Sequence, residues 1–246
     1  MLLALAHPAD ADDAPERYSR SVIARPLTLP ANLISVGADA AGNHDLSTIS
    51  GAPIVGFGIT DKIEVQVPYA FALHDLEGRG SVAVDAGYAV VRGALDGKLE
   101  MIERVRLGYD TLGRAATPLQ LGLHAQYNVT PWLAIISGTP GSEQLRVSLA
   151  NDANMMKPVD IGLPLGVGVQ ATDVLYAQLD TKLLQIGLSE SETMLVGRDM
   201  LPLTLTVVWN ALSALDVQGA IATDVVAGAG DTLAFLIGAR YYAGDL

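Results

Sequence analysis

The 246-residue sequence contains no cysteine, which excludes a disulfide scaffold and a cysteine-ligated metal site. Charge is scarce. Charged residues make up 17%, and 15 basic residues face 27 acidic ones, for a net charge of −12. The basic footprint of a nucleic-acid binder is therefore missing. A disordered chain needs more charge and less apolar content than the 50% found here. Aromatic residues are few, at 5%. No apolar run approaches the roughly 18 residues of a membrane helix. Stretches such as Leu133-Ala134-Ile135-Ile136 break after a few positions. Yet the mean hydropathy is +0.34, a membrane-like value. Only helices and closed barrels satisfy their backbone groups in lipid, so a membrane reading leaves the β-barrel.

What the sequence does have is alternation. A two-residue period marks strands whose two faces meet different surroundings. Ile34, Val36, Ala38 and Ala40 share one face of 32–40; Ser35, Gly37 and Asp39 share the other. The same pattern runs through 63–71, 81–90, 99–110, 159–170, 174–186, 201–209, 215–224 and 233–242. It is cleanest in 119–128, where Leu119, Leu121, Leu123, Ala125 and Tyr127 oppose Gln120, Gly122, His124, Gln126 and Asn128. Weaker segments at 52–59 and 132–138 bring the number to twelve. Helical periodicity of convincing length is absent.

The connections alternate as well. Short ones centre near 61, 95, 130, 172 and 212, and longer ones span 41–51, 73–80, 111–118, 139–158 and 189–200. Short turns at one end and long loops at the other are the asymmetry of outer-membrane barrels. Twelve strands allot about 20 residues to each strand with its share of connection, a workable figure. Ten or fourteen strands are the neighbouring alternatives. The segment 144–150 resembles a further short strand; even parity places it within the 139–158 loop.

A soluble β-sandwich also alternates, but its outward face carries many charges. Here one face is nearly free of charge, and the other is rich in glycine, alanine, Gln, Asn and Asp. The assignment is an all-β, antiparallel, up-and-down transmembrane barrel with apolar residues toward lipid. Tyr69, Phe71, Tyr88, Tyr109, Tyr127, Trp132, Trp209 and Tyr241 fall near strand ends, where aromatic girdles belong.

One turn recurs. Phe57-Gly58-Ile59-Thr60-Asp61-Lys62-Ile63-Glu64-Val65 is echoed by Tyr127-Asn128-Val129-Thr130-Pro131-Trp132 and by Ala171-Thr172-Asp173-Val174. Thr and Asp side chains bond to backbone groups in such turns. The chain, over roughly 26–242, resembles bacterial outer-membrane barrels grouped with transporters of the phenol-degradation meta-pathway type. The resemblance implies a Gram-negative outer-membrane location, insertion by the barrel-assembly machinery, and a route for small solutes, often hydrophobic ones. Assembly signals in such barrels commonly end in an aromatic residue; here Tyr241-Tyr242 is followed by Ala243-Gly244-Asp245-Leu246.

Strand parity nominates the residues lining the lumen. They are Asp39, Glu64, Gln66, Asp85, Arg104, Arg106 and Asp110 in the first half, then His124 and Gln126. The second half supplies Asp160, Gln178, Asp180, Lys182, Asp216, Gln218, Asp224 and Arg240. Acids outnumber bases here, which implies a mild preference for cations in a water-filled lumen. Arg104 and Arg106 point the same way, toward a constriction or toward pairs with Asp85 or Asp110. The glycines at 162, 166 and 168 thin the inner wall for a solute or an inward-folded loop.

Catalytic and metal constellations are weak. No serine shares the strand of His124, so a Ser-His hydrolase lacks local support. His7, His44, His74 and His124 show no ligand spacing, and the glycine-rich runs lack the lysine of a P-loop. No cofactor is implied. Residues 1–11 read as the residue of a signal peptide, 12–30 as a periplasmic tail and 31–246 as the barrel. Three functions follow: a channel or transporter for small solutes, a barrel enzyme acting on lipid, or a plugged structural or adhesive barrel. The 139–158 loop is the best candidate for a plug or a lid.

Overall fold

The computed structural model describes residues 18–73, 80–111, 115–116, 119–138, 145–147, 159–187, 192–195 and 200–244. Its wall consists of twelve strands. In chain order they are β1 (Ile34–Asn43), β2 (Ile49–Thr60), β3 (Ile63–Ala72), β4 (Gly80–Gly93), β5 (Leu99–Asp110) and β6 (Leu119–Thr130). There follow β7 (Leu133–Ser137), β8 (Val159–Thr172), β9 (Leu175–Gly187), β10 (Pro202–Leu212), β11 (Leu215–Asp224) and β12 (Ala234–Ala243). Each is antiparallel to the next, and β12 pairs with β1 from Ile34↔Ala243 to Asn43↔Ala234, which closes the barrel. Closure leaves no free sheet edge, the condition for a sheet to stand in lipid.

The short turns explain the recurring threonine. Thr60 Oγ1 accepts from the N–H groups of Lys62 and Ile63 at 3.2 and 3.1 Å. Thr130 accepts from Trp132 N–H at 3.3 Å and Thr172 from Val174 N–H at 3.4 Å. In all three hairpins the register slips by one residue just before the threonine. The side chain thus takes up a donor that the slip leaves out of the ladder.

Near the loop end, three wall positions are continued by separate short pieces. β7 stops at Ser137, and Leu145–Val147 takes its place between Leu119–Leu121 of β6 and Val159–Ile161 of β8. This corrects the assignment of 144–150 to the loop: three of its residues belong to the wall. The two neighbouring strands run past the end of β7, and their edge groups need partners. Ala115–Ala116 continues the line of β6 beside β5, and Glu192–Leu195 continues that of β10 beside β9.

The outward face is apolar and bare. Val36, Ile221 and Ile237 are 49%, 55% and 59% exposed, a costly arrangement in water and a favourable one in lipid. Tyr88, Trp132, Trp209 and Tyr241 ring the turn end, and Tyr109, with the neighbouring rings of Tyr69 and Phe71, stands toward the loop end. Among the described outward strand positions, only Glu103 carries a charge, opposite Tyr88 in the register.

Candidate functional site: the lumen and its floor

Two clusters of buried apolar residues form among the described residues, and each is built on the segment preceding β1. Ile23 packs with Ala134, Ile136 and Tyr176, and Leu29 packs with Leu33 and Tyr242. Residues 18–33 therefore do not trail outside as a periplasmic tail. They turn into the short-turn end of the barrel, with one turn of 3₁₀ helix at Val22–Ala24. Their alternation of apolar and hydrogen-bonding groups finds complementary groups on the inner wall.

The segment is held around the whole mouth. Leu29 N–H donates to Glu64 Oε2 at 2.8 Å, and Leu27 N–H donates to Glu100 Oε2 at 3.1 Å. Thr28 Oγ1 donates to the Asp61 carbonyl at 2.7 Å and accepts from Arg92 Nη2 at 2.6 Å. The Ile23 carbonyl accepts from Gln126 Nε2 at 2.9 Å, and its N–H reaches Gln170 Oε1 at 3.4 Å. Arg20 Nε donates to Asn210 Oδ1 at 2.6 Å. With Ala134, Ile136, Tyr176 and Tyr242 in the two clusters, and Asp216 below, every strand from β3 to β12 supplies a contact.

Arg25 anchors the floor. Its guanidinium forms a two-pronged ion pair with Asp216, and its Nη2 lies 3.0 Å from Oδ1. It also lies over the rings of Tyr18 and Tyr242, at 4.7 and 5.7 Å from their centroids. Asp216 accepts further bonds from Asn210 Nδ2 at 2.8 Å and from the Tyr242 hydroxyl at 3.0 Å. Burial opposes the Arg25 charge, but Asp216 and Tyr18 more than offset this and raise its pKa above the ordinary value. Burial pushes the Tyr18 phenol up, against the pull of Arg25.

Two more ionic groups line the wall. Arg104 bridges three strands, with Nη1 at 2.5 Å from Glu64 Oε1 and Nε at 3.1 Å from Asp85 Oδ1. Glu64 is only 2% exposed. Arg240 meets Asp39 through bonds of 2.8 and 3.0 Å, and Gln218 donates to the same carboxylate at 3.0 Å. A third ladder is uncharged at one end: Tyr176 donates to Gln178 at 2.6 Å, and Gln178 donates to both oxygens of Asp180 at 2.8 Å. The β8 glycines make room for this ladder. A Cβ at Gly166 would lie 2.2 Å from Asp180 Oδ1, and one at Gly168 would lie 2.2 Å from the Tyr176 hydroxyl. Side chains of β9, not a solute or a loop, occupy that space.

Above the floor lies a cavity of about 560 Å³. Tyr18, Val22, Arg25, Pro26 and Leu27 close it from the turn side. Gln66, His124, Gln126, Gln178, Asp180, Lys182, Asp216, Gln218 and Arg240, all nominated by parity, stand on its wall. Glu64, Asp85 and Arg104 form the triad beside it. Arg106 is half-buried on the same face of β5, and Asp110 lies at the loop end of that strand. Asp224 departs from its assigned place: it caps the short helix Val225–Gly228 at the rim, accepting from Val226 and Ala227 N–H groups. The Asp160 side chain lies outside the described residues. Most of the 139–158 loop also lies outside them. The described occupant of the lumen is the N-terminal segment.

Sequence reasoning missed Arg20, Tyr18, Arg25, Arg92, Glu100 and Asn210. The usable signal was the alternation of Arg25-Pro26-Leu27-Thr28-Leu29-Pro30, which has strand-like chemistry without a strand partner. Among the described residues no cluster of three potential metal ligands occurs, and no serine bonds to His124, whose Nδ1 is buried without a partner.

No family model matches the sequence, and no curated protein matches it. Solved structures do. A KdgM porin, solved in complex with disordered oligogalacturonate, aligns with a TM-score of 0.59 at 8% identity, covering 84% of this chain and 98% of that one. A NanC porin aligns with a TM-score of 0.56 at 9% identity, covering 84% and 98%. At such identity the likeness is one of fold: the fold is the bacterial outer-membrane β-barrel.

Proposed function

We propose that the chain is an outer-membrane channel that passes small solutes through a narrow polar lumen. The observation that carries this reading is the cavity inside a closed barrel, stopped at the turn end by residues 18–33 rather than filled by wall side chains. Passage then requires the floor to move. The floor is held by hydrogen bonds, one ion pair and two small apolar clusters, and it is joined covalently to the wall only through Leu33 and β1. Such a segment can swing out while the barrel stays closed. The repeated Thr-centred turns are what supports a likeness to the meta-pathway-type transporters, and the barrel-assembly machinery would be the insertion partner.

Planar-bilayer recording tests the reading. The full chain is expected to show small or infrequent steps. A chain shortened to begin at Ala31 is expected to show larger, steady ones. Absence of conductance from both would sink the channel and leave the plugged structural barrel, which shares the same floor. Among the described residues none offers His124 the serine partner that the lipid-hydrolase alternative needs.

A further inference from the structure

The segment that stops the lumen also carries its counter-charge. Residues 18–33 contain two arginines, Arg20 and Arg25, and no acid. Around the docked segment, among the described residues, the wall places four carboxylates: Glu64, Asp85, Glu100 and Asp216. The wall's own cations in that ring are two, Arg92 and Arg104. With the segment in place, four acids meet four bases. Elsewhere on the cavity wall the account is even as well. Asp39 pairs with Arg240, and Asp180 stands two residues from Lys182 on the same face of β9. Withdrawal of the segment removes two positive charges and no negative one, and it leaves four acids facing two bases.

Hydrogen bonding changes in the same direction. Leu29 N–H leaves Glu64 Oε2 and Leu27 N–H leaves Glu100 Oε2, and neither oxygen has another partner among the described residues. The wall donors that the segment engages keep wall partners: Gln126 Nε2 holds Asn128 Oδ1 and Arg92 Nε holds Glu100 Oε1, each at 2.9 Å. Asp216 loses most. It gives up both arms of the Arg25 fork and keeps only Asn210 Nδ2 and the Tyr242 hydroxyl. Two neutral donors leave its charge uncompensated, a costly state that a cation relieves. What remains is a seat already shaped for a guanidinium: two oxygens that accept a two-pronged donor, with the Tyr242 ring centroid 5.7 Å from the place of its central carbon. Asp216 and Tyr242 both border the cavity, so a solute reaches the seat from the lumen.

We infer that the open chamber takes small organic cations, guanidinium-bearing ones above others, which take over Asp216 from Arg25 as the segment withdraws. This rests on the channel reading, in which the segment leaves, and it names the solute class: Arg25 fills the seat in the closed barrel as an internal stand-in. A guanidinium is preferred to an ammonium because its planar fork reproduces both bonds to the carboxylate, whereas an ammonium offers a point charge. An anion meets an excess of acids, and a neutral solute leaves the Asp216 charge unmatched. The cation preference implied by composition therefore belongs to the open state, and the docked segment cancels it.

The test uses N-acetylarginine amide, N-acetylcitrulline amide and N-acetylglutamate amide, which share a backbone and end in a guanidinium, a neutral urea and a carboxylate. Arg25→Ala in the full chain empties the seat and keeps Asp216. Calorimetric titration of that variant in detergent should show the arginine probe binding about tenfold tighter than the citrulline probe, and tighter than it binds the parent. Asp216→Asn added to Arg25→Ala should bring the arginine probe to the citrulline level, with heat-modifiable gel migration reporting an intact barrel in each. The parent chain answers without any variant: in planar bilayers its open steps should be cation-selective under a KCl gradient, and the arginine probe should lengthen them while the citrulline probe does not. Equal binding of the arginine and citrulline probes to Arg25→Ala, tighter binding of the glutamate probe, an arginine affinity unmoved by Asp216→Asn, or anion-selective open steps would each overturn the inference. A barrel that conducts without cation preference and without telling the probes apart remains a channel and loses the guanidinium seat. A barrel that binds the arginine probe in Arg25→Ala and never conducts keeps the seat and loses the channel.

Discussion

Arg25 and Asp216, 191 positions apart in the chain, form the ion pair that fastens the N-terminal segment inside the barrel. The pair is buried, flanked by Tyr18 and Tyr242, and surrounded by donors to the carboxylate. Removal of one member of a buried pair typically costs about 3–5 kcal/mol, because it strands the other. Here that cost falls on the docking of a segment rather than on closure of the wall.

Arg25→Ala should therefore loosen the floor while the barrel remains folded. Conductance should rise toward that of the chain begun at Ala31. Trypsin should also cut at Arg20 faster than in the parent. Asp216→Asn combined with Arg25→Ala should recover part of the loss, since the stranded charge is gone. An unaltered conductance in Arg25→Ala would show that the pair does not hold the stopper.

A second route to the same state involves no charge. A Cβ at Gly58 would lie 1.9 Å from the Pro30 carbonyl oxygen, on the backbone of the segment itself. Gly58→Ala is expected to displace residues 29–31 and to open the channel, with strand content by circular dichroism unchanged. Loss of strand content would instead show that this contact supports the wall.

The outward face gives contrasting predictions at two positions. A lysine placed at Leu205, on the bare face, should cost about 2–4 kcal/mol if it sits near the midplane of the bilayer. Glu103 lies beside Tyr88 of the turn-end girdle, where a charge costs little, and Glu103→Leu should change stability by no more than about 1 kcal/mol. Urea unfolding in lipid vesicles measures both. A strongly destabilised Glu103→Leu would mean that the carboxylate has a structural partner.

The recurring turn is testable in isolation. Thr60→Val keeps the side-chain shape and removes the acceptor for the Lys62 and Ile63 N–H groups. Each lost bond is worth about 0.5–1.5 kcal/mol. Vesicle unfolding should register a drop of that order, and refolding through the β2–β3 hairpin should slow.

The wall was legible wherever alternation was strong. The segment 119–128 maps onto β6, and even the weak pattern at 52–59 lies within β2. The pieces that continue a neighbour's line were not legible. Leu145–Val147 has its place because β6 and β8 extend past the end of β7, a fact of lengths and register rather than of its own three residues. The charged lumen was half legible. Parity placed Glu64, Arg104 and Asp216 on the inner face, but it held no information on which acid meets which base.

The sequence alone determined the sidedness of each strand, the order of short and long connections, and the exclusion of membrane helices. These depend on local chemistry, on side-chain period and turn residues, and survive without knowledge of any partner. The tertiary structure decided the fate of residues 18–33 and which acid meets which base in the lumen. Both depend on pairings between residues far apart in the chain, such as Arg25 with Asp216 and Arg240 with Asp39. Closing the barrel brings those groups within reach, and each ion pair it forms withdraws one acid and one base from the surface a solute meets.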